Sequence, residues 1–262
     1  MQLNLKGKVA MVAASSKGLG FGTVQESARE GDRVSIASRS QAAIDSVALQ
    51  LCQETNAQVL GTLMDASGKA SIKSWTQRNL ENFGWIDCFL VNAGGLSPGR
   101  FVDFPNEVWR AAFEMNLMSA VRMIRGVISS QSCGGGSNLT VASSSERKPI
   151  NVLILLNVMR YVVTSLVKSL SLKLAPMKIR VNNLMPGRID TNRVRTIDES
   201  HARAAGISVG ERKAKSQATI PLQRYGTIED FGKMGAFLLS HAGSYITGSS
   251  FAVDGGSLKT VW

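Results

Sequence analysis

Apolar runs of strand length alternate with longer segments of helical period along most of this chain, and that alternation limits the fold more than any other feature. The strand-like runs are 9–14, 34–37, 59–63, 86–91 and 139–142, each followed by a helix-period segment at 20–30, 41–54, 69–83, 105–130 and 151–175. A further strand at 179–185, a polar stretch at 190–219, a helix near 227–240 and a closing strand at 250–253 complete the order. Strands that read as continuous apolar runs are covered on both faces, and strands separated by helices are joined as βαβ units in a parallel sheet. The pattern predicts a single-domain α/β protein: a doubly wound, mostly parallel sheet of seven strands with helices on both faces.

With 262 residues, 44% of them apolar, the chain can bury one full core, so residues 1–262 are expected to form one domain. The N-terminus enters the first strand without the apolar core and small-residue cleavage site of a secretory leader, and a cytoplasmic protein is expected. Cys52, Cys88 and Cys133 have no CxxC spacing, and His201 and His241 have no ligand-spaced partners, so no disulfide framework or metal site is predicted. The net charge of +11 favours anionic partners. Its cations are scattered rather than in runs, which argues against a nucleic-acid-binding face and for a solvated surface with one phosphate pocket. The segment 150–174 is apolar enough to raise the question of a membrane span. Asn151, Asn157, Arg160, Lys168 and Lys173 interrupt it at a cost that favours burial against the sheet and a partner subunit. The charged stretch 190–219 is a candidate substrate lid or a surface insertion, with one or two short helices expected.

The first strand ends in Ala13-Ala14-Ser15-Ser16-Lys17-Gly18-Leu19-Gly20-Phe21-Gly22 immediately before a helix. Glycines at such a turn let an anion approach main-chain N–H groups where the helix dipole is positive, which is the arrangement of a Rossmann dinucleotide site. A turn of this kind can also be purely structural; its place in a βαβ unit supports the binding reading.

At this point the chain resembles the short-chain dehydrogenases/reductases, whose TGxxxGxG motif aligns with residues 13–20, with Ala14 at the first glycine. Further motifs of that family follow in order: Asp65, Asn92-Ala93-Gly94-Gly95, Asn116, Pro186-Gly187 and Asp254-Gly255-Gly256. The resemblance covers almost the whole chain and is nearest to the 3-oxoacyl-carrier-protein reductases. It implies a dinucleotide pocket built from Ala14, Ser16, Lys17, Gly18, Leu19 and Gly20. In that pocket Asp65 and Ala66 flank adenine, Asn92, Ala93 and Gly94 line the ribose side, and Pro186, Gly187, Ile189 and Thr191 lie toward the nicotinamide. Ser38-Arg39-Ser40 follows the second strand, where an acidic residue would bind the ribose 2′-hydroxyl of NAD. With Arg39 and Lys17 able to meet a 2′-phosphate and no acid to repel it, NADP is expected over NAD.

The catalytic positions depart from the family pattern. An ungapped alignment of the helix around Lys168 and of Arg180-Val181-Asn182 puts the family's Ser at Ser143, its Tyr at Leu156 and its Lys at Arg160. The family's phenol exchanges the proton, its ammonium lowers the phenol's pKa and its hydroxyl holds the substrate oxygen. Leucine has no proton to give, and arginine is a fixed cation that either forks to the ribose hydroxyls or caps a buried ion pair. Tyr161 falls about 140° from position 156 around the helix, while Ser144, Ser145 and Glu146 could hold a water. Three readings stay open: an NADP-dependent reductase of a small-molecule or acyl-thioester carbonyl with an altered proton donor, a dinucleotide-binding protein without turnover, and a non-redox enzyme on the same fold. The apolar helix 151–175 and the last strand predict a homodimer or homotetramer.

Overall fold

The computed structural model describes residues 2–261. Its strands are β1 (Val9–Val12), β2 (Arg33–Ser38), β3 (Val59–Leu63), β4 (Cys88–Val91), β5 (Gly136–Val141), β6 (Ile179–Pro186) and β7 (Ser250–Val253). They form one seven-stranded sheet in the order β3-β2-β1-β4-β5-β6-β7, and all the pairings are parallel. The helices are α1 (Gly18–Arg29), α2 (Gln41–Thr55), α3 (Lys69–Phe83), α4 (Asn106–Phe113), α5 (Ser119–Gln131), α6 (Ile154–Leu174), α7 (Asn192–Ala205), α8 (Val209–Ala218) and α9 (Ile228–Leu239).

The apolar central strands supply both faces because successive side chains alternate across a sheet. Ala10 and Val12 of β1, with Cys88 and Leu90 of β4, face a core built on α1, α2 and α9. Met11, Phe89 and Val91 face the opposite core, built on α3 and α5 around the buried Trp75. Trp75 donates its indole N–H to Ser35 Oγ at 3.0 Å, so the one polar atom of the largest core side chain is satisfied. The alternation expected from the sequence is therefore the observed doubly wound architecture.

Two segments differ in detail from their sequence patterns. The helix expected over 105–130 is interrupted by a π turn at Glu114–Met118, which separates α4 from α5 and carries Asn116 at its centre. The polar stretch 190–219 folds into α7 and α8, each started by a side-chain cap: Thr191 accepts from Val194 N–H, and Ser208 forms a reciprocal capping box with Glu211. The long apolar helix α6, which by length and composition alone could cross a membrane, buries Leu155, Met159, Val163 and Val167 at spacings of four against the neighbouring elements.

Candidate functional site

The strand order reverses between β1 and β4, and in such sheets the carboxyl ends of the strands open a crevice at the reversal. The glycine turn lies there. Ala14 adopts a left-handed backbone with φ of 48°, and Gly18 a φ of 63°, so the chain doubles back before entering α1. Gly20 has no room for a side chain, since a Cβ would lie 2.6 Å from the Ala14 carbonyl oxygen. Asn92, just past β4, donates from Nδ2 to that same carbonyl at 3.3 Å. The turn is fixed from below by Ser15, whose buried hydroxyl donates to Val12 O at 2.8 Å and accepts from Ala37 N–H at 3.1 Å, tying β1 to β2. The sequence reading did not single out Ser15; only the parallel register brings Ala37 to it.

From the far side, Thr191 closes over the turn, its Cγ2 3.7 Å from where a Cβ on Gly18 would stand. The first turn of α1 has no capping side chain and no acidic residue, which leaves its N–H groups free for an anion. Gly94 has open space on its side-chain side. Lys17 and Arg39 are exposed and make no ion pair among the described residues. Asp65 is held below the usual carboxylate range first by hydrogen bonds from Ser67, with a smaller contribution from the charge of Arg39. These residues fit a phosphate-bearing dinucleotide: free donors and cations where the phosphates would lie, and side-chain-free backbone where the ligand would press closest.

Not every predicted pocket residue presents its side chain. Leu19 packs into the core of α1, α2 and α9, Ile189 is buried in the same core, and Ala66 packs on the opposite one. Ser38 bonds locally to Ser40, the cap of α2. Ser16 and Ala93 lie half-buried on the turn and the β4 loop, and Pro186-Gly187 ends β6 with Gly187 N–H on Val253 O.

The positions that the sequence alignment matches to the family's catalytic residues gather around the start of α6. Ser143 follows β5 and accepts from Ser145 N–H at 3.2 Å, opening the short turn Ser144–Glu146. Asn116 is buried; its Nδ2 donates to Ala112 O at 3.0 Å while its Oδ1 has no partner. Leu156 is half-buried on the first turn of α6. Arg160, one turn on, is buried and donates from Nη1 to Val141 O at 2.6 Å, with Nε unpartnered. It makes no ion pair among the described residues, so the ion-pair reading from the sequence is replaced by a main-chain contact. Burial, aided by the charge of Arg193, pushes its pKa down to about 10, still a cation at neutral pH. Glu146 accepts from the Thr164 hydroxyl of α6, and burial pushes its carboxyl up. Beside this set is a cleft of about 270 Å³ lined by Ser144, Lys148, Ile150, Gly187, Asp254 and Leu258.

The family model described as Enoyl-(Acyl carrier protein) reductase matches residues 13–257. Dehydrogenase/reductase SDR family member 4 of Bos taurus is 32% identical over 258 residues, which cover 97% of this chain and 88% of that protein. Galactitol 2-dehydrogenase of Agrobacterium fabrum is 27% identical over 97% of this chain and 99% of its own. Among solved structures, L-sorbose reductase from Gluconobacter frateurii, complexed with NADPH and L-sorbose, superposes with a TM-score of 0.96 at 26% identity and covers 100% of both chains. The chain belongs to the short-chain dehydrogenase/reductase family of oxidoreductases.

Proposed function

We propose that this protein binds NADP and reduces the carbonyl of a small 3-oxoacyl-type substrate with a modified catalytic set. The observation that carries the reading is the glycine turn at the β1/β4 reversal, held by Asn92 on the Ala14 carbonyl and covered by Thr191 at Gly18, with an unblocked helix N-terminus behind it. Preference for NADP is supported by Lys17 and Arg39 without an opposing acid after β2, and by the NADPH complex of the sorbose reductase. The bound nicotinamide supplies the hydride. In this reading Ser143 holds the substrate oxygen, Arg160 holds the ribose and the charge near it, and Asn116 orders the α5 side of the site. Leu156 provides only an apolar wall, so the proton comes from water, from Ser143 or from the substrate itself. The hairpin α7–α8 serves as the lid, and the free thiols Cys52, Cys88 and Cys133 suit a reducing cytoplasm.

Self-association as a dimer or tetramer is supported by apolar side chains left on the outside of α4 and α6: Phe113, Val158, Tyr161 and Val162 are all exposed. Light scattering at micromolar concentration tests it, a monomer being the contrary result.

The cofactor reading is tested by nicotinamide fluorescence during titration with NADPH and NADH. NADPH is expected to bind at least about tenfold more tightly, a difference of about 1.4 kcal/mol, and Arg39→Asp is expected to reverse the order. Equal binding of both cofactors contradicts the 2′-phosphate assignment. A protein that binds dinucleotide without turnover is the second reading, favoured by Leu156 at the proton-donor position; tight NADPH binding with no oxidation across a panel of 3-oxoacyl thioesters and diketones would establish it.

A further inference from the structure

The loop between β5 and α6 forms a pinned wall beside Ser143, and it carries one cation that no acid in the loop engages. Its turn opens at Ser143 and closes where Lys148 N–H donates to Ser144 O at 3.1 Å. Arg147 holds the loop against β7 through Nη2 on Ser250 O at 3.2 Å, and the Glu146 carboxyl is taken by the Thr164 hydroxyl. Farther on, Asn157 of α6 pins Ile150 at both main-chain groups: Oδ1 accepts Ile150 N–H at 3.1 Å and Nδ2 donates to Ile150 O at 2.9 Å. Between these anchors Lys148, Pro149 and Ile150 line the cleft of about 270 Å³, together with Gly187, Asp254 and Leu258. Lys148 is exposed and makes no ion pair among the described residues. Asp254, the acid in the cleft, is turned to its own loop, Oδ1 accepting Gly256 N–H at 2.9 Å and Oδ2 accepting Leu258 N–H at 2.7 Å.

A loop tied down at both ends presents its side chains to a ligand at little ordering cost. The cleft falls just under the range of about 300–1,000 Å³ that encloses a drug-sized molecule, so it takes one end of a small compound rather than a long acyl chain. Pro149, Ile150 and Leu258 offer apolar surface, and Lys148 adds a compact point charge that demands no planar partner. We propose that Lys148 selects the substrate: it holds the carboxylate of a short straight-chain oxo acid whose methylenes lie on Pro149, Ile150 and Leu258 and whose carbonyl stands at Ser143. The carbonyl end rests on the reductase reading above; the anion end does not. Lys148 takes no part in the hydride or proton step. It sets which end of the substrate enters the cleft and which chain length brings the carbonyl to Ser143.

The test is calorimetric binding of 4-oxopentanoate, 5-oxohexanoate, 6-oxoheptanoate and their methyl esters to the full chain, with and without NADPH. The natural protein is compared with Lys148→Gln, Lys148→Arg and the control Lys173→Gln, an exposed lysine at the far end of α6. At the best of the three lengths the acid is expected to bind at least about tenfold more tightly than its ester. That preference should vanish in Lys148→Gln, persist in part in Lys148→Arg and be unchanged in Lys173→Gln, with NADPH affinity retained throughout. Equal binding of acid and ester at every length by the natural protein overturns the proposal and leaves Lys148 as a balance for the charge of Asp254. A preference that survives in Lys148→Gln overturns it too, as does an equal loss in Lys173→Gln, which would make the effect one of general positive charge. Loss of NADPH rather than of the acid in Lys148→Gln also overturns it, because Lys148 would then serve the cofactor. Failure of NADPH to bind the natural protein, or to be oxidised by it, refutes the reductase reading alone, since the comparison without cofactor still decides the role of Lys148.

Discussion

Arg160 Nη1 donates to the carbonyl of Val141 at 2.6 Å, joining α6 to the end of β5 just before Ser143. This bond ties the cation at the centre of the proposed catalytic set to the strand that presents Ser143. Leu156 lies one turn earlier on the same face of α6. The double change Leu156→Tyr with Arg160→Lys should therefore complete a proton-transfer set around Ser143 and raise NADPH oxidation with 3-oxoacyl thioesters and diketones by about 10²-fold, the usual worth of a placed general acid. Arg160→Lys alone should do little, since an ammonium without the phenol has nothing to tune, while Leu156→Tyr alone should give an intermediate gain because the Arg160 guanidinium also favours the phenolate. Initial rates of all four proteins decide it. A natural protein already turning over at about 10 s⁻¹ would mean that another group supplies the proton.

Ala14 holds a φ of 48° at the position where the family motif has glycine. The left-handed region costs a residue with a Cβ about 1–2 kcal/mol, against about 0.5–1 kcal/mol of extra unfolded-state entropy for glycine. Ala14→Gly should stabilise the fold by up to about 1 kcal/mol in urea unfolding and leave the Asn92 contact in place. A variant less stable than the natural protein would show that the left-handed turn carries no such strain.

Most of the fold was legible because strands buried on both faces are apolar without interruption, as in β1 and β4, and no tertiary contact is needed to see that. The glycine turn was legible for a similar reason, since its chemistry is local. The π turn at Asn116 was not, because the apolar period runs through 105–130 unbroken and the kink shows itself only in how Asn116 bonds back to Ala112. The short helices expected in 190–219 are α7 and α8, and the capping box Ser208–Glu211 was a local, readable start signal for the second of them in a stretch without an apolar period. What holds that hairpin could not be read at all. Arg188, Asp198, Arg212 and Tyr225 are far apart in sequence and meet only in the folded chain.

Asp198 is the anchor of that group. One of its oxygens accepts from Arg188 at 3.0 Å with Arg212 Nε at 3.8 Å, and the other accepts the Tyr225 hydroxyl at 2.7 Å, with the carboxylate 3% exposed. Removing one member of a buried charge group leaves the rest unpaired, at a typical cost of about 3–5 kcal/mol. Arg188 is a third exposed, so the low end of that range is expected. Asp198→Ala should lower the melting temperature and speed hydrogen exchange most strongly in α7 and α8, whereas Tyr225→Phe should cost only about 1 kcal/mol. Uniformly faster exchange across the sheet, with no excess in the hairpin, would show that Asp198 does not act locally.

Asp32, in the turn between α1 and β2, is buried, with no cation or main-chain N–H bonded to either carboxylate oxygen among the described residues. Burial pushes its pKa up from 3.8 to about 8; the Ser27 hydroxyl offsets part of this, the Asp87 carboxylate adds to it and Lys8 opposes it. An acid whose pKa is higher folded than unfolded binds more protons in the folded state between the two values. Its contribution to stability is therefore greatest below pH 3.8 and declines as pH rises through that window, levelling off above about 8. Other carboxylates run the opposite way: hydrogen bonds lower Asp65 and Asp190, which add stability above their unfolded pKa and lose it as the solution is acidified. The pH profile of the natural protein is a sum of both kinds. Asp32→Asn removes only the first, so the difference in unfolding free energy between the variant and the natural protein isolates it. That difference should grow in favour of the variant from pH 5 to pH 8 by at least about 1 kcal/mol, less than one pKa unit's worth of linkage. Urea unfolding at pH 5, 6, 7 and 8 measures it directly, and a difference that stays constant over that range would mean the Asp32 carboxylate titrates near its ordinary value in the folded protein.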